Sequence, residues 1–106
     1  MDGFPRLLRA IDCYIGLDDR PDPIVAFAHS EIEALAELEH QRFCAERLQQ
    51  QWLPGVRNPV KHTSDSLKPW NELEEPTKDL DRNAVRQIPR LLAEIDRAVY
   101  RIEGRR

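Results

Sequence analysis

The chain reads as an all-α domain, with two principal helical regions around a long structured loop and a further helix at the N-terminus. Three observations predict this class. Apolar residues recur at helical spacing in 31–50 and again from Leu80 to Val99. No segment shows the period-two alternation of a half-buried strand. The stretch 51–70, with Trp52 and Trp70 at its ends, lacks either period and separates the two helical regions. The organisation expected is an N-terminal helix and linker in 1–23, the helical domain in 24–103 and a tail in 104–106. No internal repeat is evident.

Pro5 stands near the first helical position, where its missing N–H costs nothing. Phe4, Leu7, Leu8, Ile11 and Ile15 then form an apolar stripe that Gly16 is placed to stop. This helix either docks on the main domain or meets another subunit, docking being the commoner case. The Asp- and Pro-rich run Asp18–Pro23 is a turn or linker. Asp22-Pro23 can open a helical stretch, and Ser30…Glu33 has capping-box spacing for its main continuation. On helix 31–50, Ile32, Leu35, Ala36 and Phe43 share a face; His40 and Arg47 lie on one border of it, and Glu39 and Glu46 on the other. Trp70-Asn71-Glu72-Leu73 suits a short turn. Thr77 is placed to cap the last helical region, with Asp79 in its first turn. Leu80, Ala84, Val85, Ile88, Leu91, Leu92, Ile95 and Val99 carry that region through to Tyr100, with Pro89 kinking or dividing it.

Composition narrows the function. The 106 residues make one small domain, and a net charge of -3 argues against a general nucleic-acid polymer as partner. No apolar run approaches a membrane span, and Asp2 and Asp12 interrupt any leader-like start, so a cytoplasmic location is expected. Cys13 and Cys44 lie far apart in helical patterns and read as buried thiols rather than as a disulfide or zinc site. Ile102-Glu103-Gly104-Arg105 matches a protease-cleavage sequence and carries no functional weight. His29, His40 and His62 lack metal-ligand spacing, Asp79 and Asp81 fall on nearly opposite helix faces, and no nucleophile elbow or glycine-rich phosphate loop is present. No enzyme activity and no cofactor are expected.

Recognition fits better. Arg57, Lys61 and Lys68 face only Asp65 within the loop. The preceding 24–50 carries Arg42 and Arg47 against Glu31, Glu33, Glu37, Glu39 and Glu46. The loop is thus the locally cationic part of an acidic chain, which suits a small anion. Trp52 and Trp70 can stack on a flat ligand, and the alternative is that they are core rings anchoring the loop. Each loop cation is either an anion contact or a solvated side chain. His62 either donates into a pocket or sits in solvent. His40 and Arg47 share a helix border facing the loop; the plainer role for His40 is a half-buried ring satisfied by a backbone carbonyl. Arg82, a cation in the first turn of its helix, invites a partner: Asp79, Glu75 or a ligand. Gly55 permits a turn after Pro54, and Pro69 sets the approach to Trp70.

From about Leu35 to Tyr100 the chain resembles the RyR domain, the helical module repeated in ryanodine receptors and also found in bacterial and phage proteins. The matching elements are His40-Gln41-Arg42-Phe43…Arg47, Gln51-Trp52-Leu53-Pro54-Gly55-Val56-Arg57, Lys61-His62, Pro69-Trp70-Asn71-Glu72-Leu73 and Lys78-Asp79-Leu80-Asp81-Arg82. Phe43 stands where the family carries tryptophan, Gln51 where it carries glycine, and Thr63 follows His62 where many members have proline. Gln51 is expected to add bulk at the loop entrance. The resemblance implies a non-catalytic sensor for an adenine nucleotide or nucleotide-derived anion, with Trp52, Trp70 and Phe43 as walls and His40, Arg47, Arg57, Lys61, His62 and Arg82 as polar contacts. In the receptors two repeats form the cleft, so a homodimer or partner protein is implied for a single copy. The competing expectation is an assembly module that uses the N-terminal apolar stripe.

Overall fold

The computed structural model describes residues 4–102 of the chain. The Phe4 side chain of the N-terminal stripe and residues 103–106, with all of the cleavage-like motif but Ile102, lie outside the described residues. The elements run α1 (Phe4–Arg9), β1 (Cys13–Leu17), α2 (His29–Gln49), β2 (Leu53–Pro54), β3 (Thr63–Ser64), a 3-10 turn at Trp70–Glu72, α3 (Glu75–Arg86), α4 (Ile88–Ala93) and β4 (Arg97–Arg101). The class is therefore mixed, and the all-α expectation is corrected by two two-stranded sheets: β1 pairs antiparallel with β4, and β2 pairs parallel with β3.

The ends of the chain are where helical spacing misleads. Leu92, Ile95 and Val99 fit a helix in sequence, yet Asp96 at φ 56° takes the backbone left-handed and starts β4. Asp12 does the same after α1, also at φ 56°, so Cys13 sits in a strand and Gly16 stops no helix. A five-residue apolar run carries too few periods to separate strand from helix. The pairing partner lies at the opposite end of the chain, so no hairpin turn announces it.

These two ends also carry an internal repeat, which corrects the expectation of none. Pro5-Arg6-Leu7-Leu8-Arg9-Ala10-Ile11-Asp12 matches Pro89-Arg90-Leu91-Leu92-Ala93-Glu94-Ile95-Asp96. Each copy is a short helix, a left-handed Asp and a five-residue strand. Ile15 pairs with Val99, its own counterpart, so the ribbon is pseudo-two-fold about that pair.

The core lies between this ribbon, the first half of α2, and α3–α4. Leu7, Leu8, Cys13, Ile32, Leu35, Val85, Ile88, Leu92 and Val99 are buried there. The N-terminal stripe is thus core, with Leu7 and Leu8 covered and Ile11 and Ile15 half-buried against it. Pro89 divides the last helical region into α3 and α4, as expected. Asp22-Pro23 starts no helix. The α2 N-terminus is closed by Glu31, not by Ser30 and Glu33: the Glu31 carboxylate accepts from the Ala28 N–H at 2.9 Å. It also accepts from Arg101 on β4 at 2.6 Å. That hydrogen bond holds the Glu31 carboxyl below the usual range against the opposing effect of burial. Thr77 is not a cap either, because α3 opens two residues earlier at Glu75.

The α2 C-terminus explains Gln51. The Gln51 N–H donates to the Leu48 carbonyl at 3.0 Å and the Trp52 N–H to the Arg47 carbonyl at 2.9 Å. This is the Schellman closure, whose left-handed position favours glycine. Gln51 occupies it at φ 66°. What the glycine-to-glutamine departure changes is therefore backbone conformation at the helix stop, rather than bulk in a pocket. Gln51→Gly should raise stability by about 0.5–1 kcal/mol, the left-handed strain relieved exceeding the extra chain entropy lost. A urea midpoint that falls would contradict this.

A second expectation concerns pH. The folded-state pKa of Glu31 is depressed, so its contribution is present above the ordinary glutamate range and lost as pH falls through the folded value. Glu31→Gln should cost about 1–2 kcal/mol at neutral pH. The gap to wild type should close on acidification, read by denaturation curves across pH.

Candidate functional site

The loop 51–70 is held at both ends by α2. At its start, the Schellman turn brings Trp52 back over Arg47, whose guanidinium lies 5.0 Å from the Trp52 ring centre and 5.1 Å from that of Phe43. The loop then folds on itself. Leu53 N–H donates to the His62 carbonyl at 2.9 Å, Gly55 N–H to that of Ser64 at 3.1 Å, and Thr63 Oγ1 to that of Val56 at 2.6 Å. His62 sits at φ 55° in the turn that makes these bonds possible. Its imidazole stacks on Trp52 at 5.1 Å and 9° between planes.

At its end the loop is fixed by His40, the buried polar residue of α2. His40 Nε2 lies 2.7 Å from the Lys68 carbonyl oxygen. A carbonyl only accepts, so Nε2 carries the proton. Cys44 Sγ is 3.3 Å from the same nitrogen, and Asp81 of α3 faces Nδ1 at 3.8 Å. Burial pushes the Asp81 carboxyl up, and the neighbouring His40 opposes that shift. Trp70 packs tilted against the ring at 6.1 Å. The plainer reading of His40 is the one realised: it is a structural joint.

The two tryptophans do not form one clamp. Trp52 lines a cavity of about 250 Å³ with Phe43, Arg47, Arg57, Ser64, Asp65 and Ser66. Trp70 lines a separate, more apolar cleft of about 780 Å³ with His40, Cys44, Leu48, Pro54 and Leu67 among its walls. The Trp52 ring is already engaged by His62 and Arg47, so it is an internal stacking partner more than a free wall.

The cations separate as sharply. Arg82 is spent on α2 and α3: it bonds Glu33 at 2.5 Å, Glu75 at 2.6 Å and Asp79 at 3.0 Å, and lies over Trp70 at 5.6 Å. These carboxylates hold its guanidinium above its usual range and tie α2 to α3 through it. Asp79 and Glu75 were legible as its partners; Glu33, far away in sequence, was not. Arg47, Arg57, Lys61 and Lys68 have no carboxylate partner among the described residues. Arg47 and Arg57 converge on the smaller cavity. Lys61 is exposed and lines neither cavity, and Lys68 borders the larger one. Ser64, Asp65 and Ser66 line the smaller cavity unforeseen, because the parallel β2–β3 pairing that ends at Ser64 has no local signature. No helix among the described residues is long and apolar enough to cross a membrane.

Replacing His40 with Phe keeps a ring against Trp70 but leaves the Lys68 carbonyl without its donor. It should cost about 1–3 kcal/mol, measured by urea denaturation. An unchanged midpoint would mean that water satisfies that carbonyl.

A family model described as the RyR domain matches residues 26–101. The chain therefore belongs to the RyR domain family, as the motif order implied. No curated protein matches the sequence significantly.

Proposed function

We propose that this RyR domain is a non-catalytic recognition module that takes a small anion, such as the phosphate portion of a nucleotide-derived ligand, at the Arg47–Arg57 cavity. The observation that carries the reading is the contrast between cations. Arg82 is neutralised by three carboxylates, whereas Arg47 is held between Phe43 and Trp52 with no carboxylate partner and opens on the cavity that Arg57 lines. An arginine fixed by aromatic stacking loses little freedom when an oxyanion arrives, and its planar fork suits bidentate contact. Ser64 and Ser66 border the same cavity and can add hydroxyl donors. The Trp52 ring already contacts His62 and Arg47, so this reading gives specificity to the anion more than to a stacked base.

A second reading rests on the loop tip, where Val56 is 87% and Val60 92% exposed. Apolar side chains so open suit a partner protein. In that case nucleotides do nothing, and charges at those positions abolish partner capture.

Thermal-shift and calorimetric titration with mono-, di-, tri- and cyclic nucleotides, and with inorganic phosphate, tests the proposal. A ligand present at a hundredfold excess over Kd should stabilise the fold by about 2.7 kcal/mol. Arg57→Ala, an exposed position, should abolish the shift without loss of stability, and higher salt should weaken binding. No stabilisation by any of these anions would remove the proposal for this chain.

A further inference from the structure

The duplicated ends of the chain carry a consequence beyond the ligand site. The two units agree in backbone as well as sequence. Ile11 N–H donates to Leu8 O at 3.1 Å, and Ile95 N–H to Leu92 O at 3.1 Å. Asp12 N–H donates to Arg9 O at 3.1 Å, and Asp96 N–H to Ala93 O at 3.2 Å. Where they meet, Asp18 N–H reaches Asp96 O at 3.1 Å and Ile102 N–H reaches Asp12 O at 2.8 Å, a symmetric pair of bonds about the Ile15–Val99 centre. Each unit thus recognises a near-copy of itself. The RyR match begins at residue 26, so the strand that completes β4 is supplied from outside the matched segment.

The connection between that strand and the rest of the chain is Asp18-Asp19-Arg20-Pro21-Asp22-Pro23. It turns back tightly enough for Ile24 N–H to bond Val99 O at 2.7 Å. The turn carries strain. Asp22 sits at φ 59° although it precedes Pro23, and a residue before proline is pushed towards extended conformations. An extended connector relieves that conflict, and Pro21 and Pro23 both favour extension. The connector is held chiefly through Arg20, whose N–H donates to Tyr100 Oη at 3.2 Å and whose guanidinium donates to Tyr14 Oη at 2.7 Å, beside a cleft of about 600 Å³; of these, opening the connector gives up the bond to Tyr100.

We propose that α1–β1 is an exchangeable element, and that two copies of this chain associate by placing each β1 against the other copy's β4 in the same antiparallel register. Exchange keeps every ribbon bond and returns Leu7, Leu8 and Cys13 to an identical core, so only the connector changes. A short connector under strain is the feature that invites this. The occupant of the β4 face is therefore a second copy of this chain.

The test uses the full-length protein. Leu17 and Arg97 are paired across the ribbon and both exposed. Leu17→Cys with Arg97→Cys, in a Cys44→Ala background, is refolded over a dilution series, oxidised and run on a non-reducing denaturing gel. Exchange predicts a covalent dimer that becomes the major band at the highest concentration and is absent from either variant with one of the two substitutions, in which the native Cys13 is buried. Monomer alone at every concentration, or an equal dimer band in a single variant, overturns the proposal. Wild-type chain refolded in parallel should show the same concentration-dependent dimer by light scattering, and a monomer throughout overturns it without reference to the cysteines. Asp22→Gly, which relaxes the closed connector, should lower the dimer fraction.

Discussion

The hydrogen bond from His40 to the Lys68 carbonyl is the constraint on which the rest of the functional end depends. It places one imidazole at the meeting point of α2, the end of the loop, the Trp70 turn and α3. Burying a ring nitrogen is costly unless it is bonded, and the Lys68 carbonyl supplies that bond at the point where the loop must end. The other end of the loop is stopped by the Gln51 closure. Between the two anchors the chain is held by the two-residue β2–β3 pairing, the reciprocal Asn58–Thr63 backbone bonds, the Trp52–His62 stack and side-chain bonds from Asn58 and Thr63. Arg47 is therefore placed by α2, a rigid element, whereas Arg57 is placed by the loop pairing that β2 and β3 make.

Charge is allocated by the same geometry. The α2–α3 contact gathers Glu33, Glu75 and Asp79 around Arg82, which consumes the cation that motif reasoning places in the site. In the last turn of α2, Arg47 is stacked on aromatic rings instead of paired, so its guanidinium edge stays available. An ion pair and a cation–π contact each order an arginine, but only the second leaves its charge uncompensated. That difference separates structural from candidate functional cations here, though both occur in the RyR motif order.

Much of this was legible in the residues. The helical extent of α2, the break at Pro89, the backbone partner of His40 and the RyR membership all follow from local pattern or motif order. What was hidden depends on contacts between distant segments. β1 and β4 pair from opposite ends, and a left-handed Asp, which no periodicity reports, starts each strand. The separation of Trp52 from Trp70 depends on how the loop folds, and flanking positions in sequence do not set that distance. The Pro-Arg-Leu-Leu…Ile-Asp repeat was visible as letters, and direct self-comparison of the chain would have found it. Its meaning needed the shared backbone geometry.

The most direct test of the His40 account is the protonation pattern of its ring, read by long-range nitrogen–proton correlation in the isotopically labelled protein. The account predicts a proton on Nε2 that exchanges slowly with solvent, because the Lys68 carbonyl accepts it inside the fold. A ring protonated only on Nδ1, or an Nε2 proton exchanging as freely as in an exposed histidine, would contradict it. The loop would then be held to α2 by something other than this bond.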